Sequence, residues 1–296
     1  MLTIGIPFYN NEKTLADAVK SVFAQTFTDW ELILADDGSV DGSLAVAKAF
    51  EQMDDRIKVV SDGVNRGISY RLNLIASLAN GDYIARMDAD DMMMPDRLEK
   101  QMKILLADNS IDVIDTAAYV INEKGEPVGM RGTEDLSGWN KKMVLTKGLF
   151  FHPAVIAKAS WFRENKYAEK YLRTEDFELW CRTFDKTVYT RVCEPLIIYR
   201  EGKVNVKNYV DSARTSRDIL KIYHKGVLTN NEYRWEIFKW YLKPDLYRTF
   251  ALFDLHHILS SARNKKLNNV QKAKVKEVIQ KIQSIPQEGL KTAVSQ

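Results

Sequence analysis

The chain has 296 residues, 45% of them hydrophobic, and a formal net charge of +3. This length can bury a large core and favours one large domain with an appendage. No run approaches the roughly 18 apolar residues of a membrane span, and the start of the chain lacks the basic region of a signal peptide. These features predict a cytoplasmic protein without a membrane-spanning segment.

Charge is distributed unevenly along the chain. From Glu201 onward, 18 Lys or Arg stand against 9 Asp or Glu, a net charge of +9, whereas residues 1–200 have 25 against 31, or −6. An acidic body suits a site that binds cations, and a basic tail suits phosphate-bearing or membrane-surface partners. A merely solvated basic helical tail explains the same counts, so both interpretations stay open.

The first half of the chain alternates between apolar strands and amphipathic helices. Strands are predicted at 2–8, 30–35, 57–60 and 83–85, with helices between them at about 15–23, 43–53 and 69–79. The order β-α-β-α-β-α-β predicts an α/β fold with a parallel sheet and right-handed crossovers. A further helix opens at Pro95, and residues 111–121 return as a strand.

Polar residues follow three of these strands. The three loops contribute Asp36 and Asp37, then Asn65 and Arg66, then Asp88, Asp90 and Asp91. Because open α/β sheets bind ligands at the carboxyl ends of their strands, we expect these side chains to converge on one site. Crowded carboxylates repel one another unless a cation or hydrogen bonds compensate, and oxygen ligands suit Mg²⁺ or Mn²⁺. Solvated turns are the alternative explanation for each isolated Asp pair.

The groups in these loops predict a bound nucleotide diphosphate. A carboxylate can accept a hydrogen bond from a base N–H or a ribose hydroxyl, and Arg66 or Arg71 can meet phosphate. Gly38 and Gly67 would let the backbone approach the ligand, although a simple tight turn explains a single glycine equally well. A metal ion on Asp90 would neutralise the diphosphate.

The chain resembles the family 2 glycosyltransferases of the GT-A fold, of the bacterial surface-polysaccharide type, which transfer a sugar from a nucleotide diphosphate donor. The similarity covers roughly residues 2–200. It is carried by IPFYN at 6–10, ADDGSVDGS at 35–43, NRG at 65–67, MDADD at 87–91 and TEDFELW at 174–180. Each motif is weak alone, but the ordered set is specific.

The resemblance implies an architecture. It implies a GT-A nucleotide-diphospho-sugar transferase fold, with a mostly parallel central sheet flanked by helices, over residues 1–202. Within this catalytic domain, residues 1–121 would bind the nucleotide-sugar and residues 122–202 would form the acceptor side. Residues 203–296 would form a basic helical C-terminal region.

The resemblance also implies roles for single residues. The donor-binding residues implied are Pro7, Tyr9, Asp36, Asp37, Asn65, Arg66, Arg71 and Asp88. Among them, Asp36 or Asp37 would hold uracil and Asp88 would touch ribose. The metal, Mn²⁺ or Mg²⁺, would be held by Asp90 together with Asp88.

On the acceptor side, transfer to an alcohol needs a carboxylate that takes the proton of the acceptor hydroxyl. Glu175 and Asp176 supply two at the start of an apolar helix, and by resemblance Asp176 is the general base of an inverting enzyme. Ordinary capping of the first helical turn is the alternative. His152, before Pro153, resembles the family segment that lines the pocket near the base; a satisfied core histidine is the alternative.

One departure concerns the metal shell. Many relatives have a His soon after the strand that ends in Tyr-Arg, whereas here Tyr199-Arg200 runs into Glu201, Gly202 and Lys203. Glu201, another group or water would fill that position, or the cation would be held more loosely. Arg200 or Lys203 would help to neutralise phosphate as the leaving group departs.

The basic tail contains one more predicted element. Lys272, Lys274, Val275, Val278 and Ile282 make an amphipathic helix that would lie on the inner face of the cell membrane, pack on a partner such as a second copy of the chain, or pack on the core. No nucleic acid is expected among the partners.

The sequence therefore predicts a metal-dependent inverting glycosyltransferase of cell-surface polysaccharide synthesis, with a UDP-sugar as donor and a glycan or lipid-linked saccharide as acceptor. Two other classes stay open. A sugar-phosphate nucleotidyltransferase would need a Gly-rich basic loop after the first strand, which this chain lacks. A non-catalytic sugar-nucleotide-binding protein would keep the fold without the activity.

Overall fold

A computed structural model of the protein describes residues 1–148, 150–202, 205–252 and 263–286. Lys203, one of the two expected phosphate-neutralising residues, lies outside the described residues. The strands are Leu2–Phe8 (β1), Trp30–Asp36 (β2), Ile57–Val60 (β3), Tyr83–Arg86 (β4), Met92–Met93 (β5), Val113–Ile121 (β6), Pro127–Arg131 (β7), Ile156–Lys158 (β8) and Tyr189–Arg200 (β9). The helices are Leu15–Phe23 (α1), Ser43–Met53 (α2), Ile68–Leu78 (α3), Arg97–Ala107 (α4), Lys141–Lys147 (α5), Ala159–Glu164 (α6), Glu175–Thr183 (α7), Val206–Tyr223 (α8), Asn230–Leu252 (α9) and Asn269–Gln283 (α10).

The described strands form one sheet in the order β3-β2-β1-β4-β8-β6-β9-β5, with β7 paired to β6. Strands β1 to β4 are parallel, as the alternation of elements predicts. Beyond β4 the sheet is mixed, because β8 runs antiparallel to β4 and β6, and β5 and β7 are antiparallel to their neighbours. The loop 122–126 between β6 and β7 is too short for the crossover that a parallel neighbour requires.

Helices cover both faces of the parallel half, which explains why β1 is buried along its whole length. Leu2, Ile4 and Ile6 of β1 pack on one face with α1, α2 and α4. On the other face, Ile33 and Ala35 of β2 pack with α3, α6 and α7. The sheet is thereby fixed from both sides, and its carboxyl edge stays open.

Helices α8 and α9 lie beside α7, and α8 contributes Ile219 and Leu220 to the core on that side. Helix α10 instead returns to the sheet. Its Val275, Ile279 and Ile282 are buried in a third cluster with residues of β5, β6 and β9. The apolar face of the predicted amphipathic helix is therefore occupied by the core and is not presented to a membrane or a second chain. The division of the chain at residue 202 stays a prediction.

None of the described helices is both long enough and apolar enough to cross a bilayer.

Candidate active site

A cleft opens at the carboxyl ends of β1, β2 and β4. It consists of two adjoining cavities of about 400 and 670 Å³. Both cavities are lined by Tyr9, Asp37, Ile68, Asp88 and Arg173. The strand-end loops therefore converge on one site, as expected from the topology.

The smaller cavity is bordered by residues from the first and fourth strand ends. Pro7 and Tyr9 line it on one side, and Asp88 and Asp90 on the other. Tyr9 is half exposed, at 46%. An aromatic ring at one wall and carboxylates at the other offer stacking for a base and acceptors for hydroxyl groups or a cation.

The structure distinguishes the two aspartates that end β2. Asp36 is buried, and its carboxylate accepts hydrogen bonds from the Ser39 backbone N–H at 3.0 Å and the Ser61 hydroxyl at 2.7 Å. Asp37 lines both cavities. Of the two residues expected to hold the base, Asp37 is the one that faces the cleft, while Asp36 closes its own loop.

Asp37 is held from the third strand-end loop. Its carboxylate accepts from the backbone N–H groups of Arg66 and Gly67 and from Nε of Arg71, at 2.9 to 3.1 Å. The Arg71 side chain is only 1% exposed and also pairs with Asp62. The guanidinium of Arg71 therefore holds Asp37 in position. Because it is already paired with protein carboxylates, the structure does not favour the phosphate contact that was expected of Arg71.

Of the remaining donor-side residues, Asn65 lines the cleft and Arg66 lines neither of its cavities. The Arg66 guanidinium pairs with Asp62 at 2.9 Å, and Asn65 lines the larger cavity. Gly38 has a φ of +75°, and a Cβ there would lie 2.8 Å from the backbone nitrogen of Asn65. The glycine is therefore needed for two loops to touch, which favours the tight-turn explanation over direct ligand approach.

Three carboxylates cluster after β4. Ligand oxygens of Asp88, Asp90 and Asp91 all lie within 4.8 Å of one another. Burial, and then the charge of Asp88, raise the pKa of Asp90 to about 6, and burial raises the pKa of Asp91 well above its usual range. The Asp91 Oδ1 accepts from the Arg200 backbone N–H at 2.9 Å, but its buried Oδ2 has no hydrogen-bond partner. A hard divalent cation fits this all-oxygen set and its orphaned atom.

Residues at the end of β9 hold the cluster of Asp88, Asp90 and Asp91 in place. The Arg200 guanidinium donates to the backbone carbonyls of Asp90 and Glu123, at 3.2 and 3.4 Å. Glu201 pairs with Arg131 at 2.5 Å rather than joining the carboxylates. The third carboxylate of the cluster is therefore Asp91 and not Glu201; the sequence analysis included Asp91 among the crowded carboxylates but did not assign it as a ligand.

Arg131, from β7, is a cleft residue that the sequence analysis missed. It lines the larger cavity, pairs with Glu201 and donates from Nε to the Asn264 side chain. An isolated β-bridge between Met130 and Lys265 brings the segment that contains Asn264 alongside β7. No local motif marks Arg131, because its neighbours are 70 and 133 residues away along the chain.

The acceptor side is the larger cavity, which Glu175 and Asp176 of α7 both line. Burial raises the pKa of both carboxyl groups, and burial with the neighbouring Asp176 charge raises the pKa of Glu175 to about 7. The buried Oε2 of Glu175 has no partner, whereas Asp176 Oδ1 accepts from the Phe177 backbone N–H at 2.7 Å. This local bond is compatible with capping and with a carboxylate held in place for chemistry, so the alternative remains.

His152 has features of both a pocket-lining residue and a satisfied core histidine. It lines the larger cavity, yet it is buried, and its Nε2 lies 2.8 Å from the Tyr167 hydroxyl. Burial, and then the charge of Arg86, hold its pKa well below the usual range. The ring is therefore neutral near pH 7 and contributes shape and one hydrogen bond rather than charge.

The fold is of the GT-A type, and solved structures share it. TarS of S. aureus, residues 1–349, in complex with UDP-GlcNAc superposes with a TM-score of 0.61 at 18% identity, over 84% of this chain and 72% of that one. The mannosyltransferase PcManGT from Pyrobaculum calidifontis, in complex with GDP-Man and Mn²⁺, gives 0.58 at 15% identity, over 98% and 83%.

The family description glycosyl transferase family 2 matches residues 3–184, which is more than half of the chain. The chain therefore belongs to glycosyltransferase family 2 and is a glycosyltransferase. EpsE of Bacillus subtilis, provisionally named a glycosyltransferase, is 38% identical over 62% of this chain and 67% of its own length. The O-antigen biosynthesis glycosyltransferase WbnJ of Escherichia coli is 28% identical over 78% and 92%. The name of WbnJ assigns that relative to O-antigen biosynthesis.

A shorter match concerns an enzyme whose substrates are named. It is the UDP-Glc:alpha-D-GlcNAc-diphosphoundecaprenol beta-1,3-glucosyltransferase WfgD of Escherichia coli, 34% identical over 37% of this chain and 42% of that protein.

Proposed function

We propose that the protein is an inverting glycosyltransferase that moves a sugar from UDP to a hydroxyl of a saccharide acceptor during cell-surface polysaccharide synthesis. The observation that carries this proposal is that Asp37, Asp88 and Asp176 line one continuous cleft. Base recognition, ribose recognition and proton removal are thereby assigned to three strand- or helix-end positions of one site.

On the donor side, Asp37 is the acceptor for a base N–H, since one of its oxygens keeps room beside its bond from Gly67. Pro7 and Tyr9 border the base, and Asp88 meets the ribose. Asp90, Asp91 and Asp88 would hold Mn²⁺ or Mg²⁺. Such an ion, when bound, supplies positive charge for the diphosphate as it leaves.

On the acceptor side, Asp176 takes the proton of the attacking hydroxyl. Glu175, with its pKa raised to about 7 by burial and by the neighbouring Asp176 charge, is largely protonated in mildly acidic solution and is therefore the poorer candidate for the base there. A single displacement assisted by one base brings the acceptor in opposite the leaving diphosphate, so the anomeric centre is inverted. A retaining reaction would contradict this assignment.

The acceptor is proposed to be a saccharide linked to a lipid diphosphate, because the name of WfgD specifies such an acceptor. A membrane surface would then be a partner, and α9 offers a face for it. Trp235, Phe238, Leu242 and Leu246 recur at helical spacing and are each 43% to 59% exposed. Exposed Arg234 flanks this stripe, which suits an anionic bilayer. A homodimer through the same helix is the competing partner.

Donor identity is the first experiment. A thermal-shift screen of UDP-, GDP- and dTDP-sugars with Mn²⁺ should stabilise the protein with UDP-sugars, by about 2.7 kcal/mol at 100 times the dissociation constant. Stabilisation by GDP- or dTDP-sugars alone would replace the donor, and none by any donor would overturn the proposal. Release of UDP without pyrophosphate separates a glycosyltransferase from a nucleotidyltransferase, and donor hydrolysis separates it from a non-catalytic binding protein.

A further inference from the structure

Arg173 occupies the junction of the two cavities. It lines the donor cavity with Asp88 and Asp90, and it lines the acceptor cavity with Glu175 and Asp176. A group that touches both cavities lies where the bond between the sugar and the diphosphate would be broken. Arg173 is not among the site residues predicted from the sequence.

Arg173 differs from the other arginines that line the cleft in having a guanidinium available to a ligand. Arg71 pairs with Asp37, Arg86 with Asp88, and Arg131 with Glu201. The exposed Arg173 side chain has no hydrogen-bond or ion-pair partner in the part of the chain that the structure describes. The carboxylates around it leave the cleft acidic, whereas a nucleoside diphosphate brings further negative charge. An unpaired guanidinium is the group that such a ligand requires.

The backbone at Arg173 gives a second, independent reason. Its φ is +65°, the left-handed region that costs a residue with a Cβ roughly 1 kcal/mol or more. Gly or Asn would occupy this position at lower cost, so the arginine side chain is retained against a conformational penalty.

We infer that Arg173 binds the diphosphate of the nucleotide-sugar donor and neutralises the nucleoside diphosphate as it leaves. The inference rests on the proposed function and adds a residue to it. The guanidinium presents two parallel N–H groups to phosphate oxygens. Its position beside Asp176 couples departure of the leaving group to attack by the acceptor.

The test separates the charge of the Arg173 side chain from its forked shape. Arg173→Asn removes the guanidinium while keeping a residue that tolerates positive φ, and Arg173→Lys keeps a charge without the fork. Lys170→Asn is the matched control, because Lys170 is exposed in the same segment and does not line the cleft. Affinities for UDP, UMP and uridine are measured with Mn²⁺ by ligand-observed NMR, together with the melting temperature.

Arg173→Asn is expected to weaken UDP binding by about tenfold or more and to change uridine binding by less than about twofold, because only the phosphate contact is lost. Arg173→Lys should be intermediate, Lys170→Asn should match the wild type, and the melting temperature should not fall. Equal UDP affinity in Arg173→Asn, or a parallel loss of uridine affinity, overturns the assignment. If the wild-type protein binds no nucleoside diphosphate, including GDP and dTDP, the proposed function itself fails and the assignment fails with it.

Discussion

The guanidinium of Arg86 donates a hydrogen bond from Nη1 to the carboxylate of Asp88 at 3.0 Å, and its Nη2 forms an ion pair with the other carboxylate oxygen at 2.5 Å. The Arg86 side chain is 4% exposed, so this pair is a buried part of the cleft floor. It offsets the charge of Asp88, whereas Asp90 and Asp91 have no ion-pair partner among the residues that the structure describes. These two residues therefore determine how strongly the site attracts a cation.

Asp90→Asn should weaken UDP-sugar binding in Mn²⁺ by about tenfold or more, because it removes a charged oxygen ligand. The same change relieves repulsion among buried carboxylates, so the metal-free variant should melt no lower than the wild type. Calorimetry with and without chelator is the measurement, and Asp96→Asn, on a half-exposed carboxylate that follows β5 and pairs with Lys100, is the control. Wild-type binding that is indifferent to chelator would remove the metal from the site.

Asp176→Asn should lower turnover by about 10²- to 10⁴-fold while nucleotide affinity changes by less than roughly threefold. The amide oxygen of Asn still accepts from the Phe177 N–H, so the helix start is preserved and only the proton acceptor is lost. Initial rates and donor affinity are compared with those of Glu175→Gln. A dead Glu175→Gln with a normal Asp176→Asn would move the base by one residue. Normal turnover in both would leave capping as their role.

Glu175 should make the protein less stable as pH rises. Its pKa is about 7 in the folded protein against 4.5 for an ordinary Glu, so between these values the folded state binds more protons than the unfolded state. The free energy of unfolding therefore falls as pH rises from about 4.5 to 7, by an amount on the order of a few kcal/mol. Glu175→Gln should lose this dependence and gain most, relative to wild type, at pH 8. Urea denaturation at pH 5 and pH 8 is the measurement.

The control for this titration is Glu169→Gln, since Glu169 is exposed. It should follow the wild-type pH dependence. If Glu175→Gln also follows it, the pKa of Glu175 is not raised in the folded protein.

Helix α10 should be required for stability rather than for membrane contact. Ile282 is 1% exposed within the cluster that joins α10 to β5, β6 and β9, so Ile282→Ala should cost about 2 to 4 kcal/mol. Val270→Ala, on the same helix but 78% exposed, should cost less than about 0.5 kcal/mol. Equal stability of the two variants in chemical denaturation would show that α10 does not pack on the sheet in solution.

Any contact with a membrane is expected to be made by the exposed apolar stripe on α9, which contains Trp235 and Phe238. Replacing Trp235 and Phe238 together by Ser should lower co-sedimentation with anionic liposomes several-fold while leaving donor hydrolysis unchanged, because neither residue lines the cleft. Leu106→Ser, an exposed apolar residue on α4, is the control. A stripe variant that sediments with liposomes like the wild type but no longer self-associates would assign the stripe to a dimer.

The sequence by itself determined the elements and the polar strand ends. Apolar runs and helical spacing place β1 and α2 correctly, because such patterns reflect which side of an element is buried. The convergence of Asp37, Asp88 and Asp90 follows from strand order alone, since the carboxyl ends of parallel strands share one edge of the sheet. The mixed half of the sheet could not be predicted from the sequence to the same extent, because short strands such as β8 have too few residues to show a periodic pattern.

Only the tertiary structure decided which polar group faces the cleft and which supports it. Asp36 and Asp37 are adjacent and chemically identical, and their roles differ because Ser61 meets one and Arg71 the other. The guanidinium of Arg131 is placed by Glu201 and Asn264, and the apolar face of α10 is buried by strands far earlier in the chain. The partners of a charge or an apolar face are chosen by packing between distant segments, and local sequence spacing contains no record of that choice.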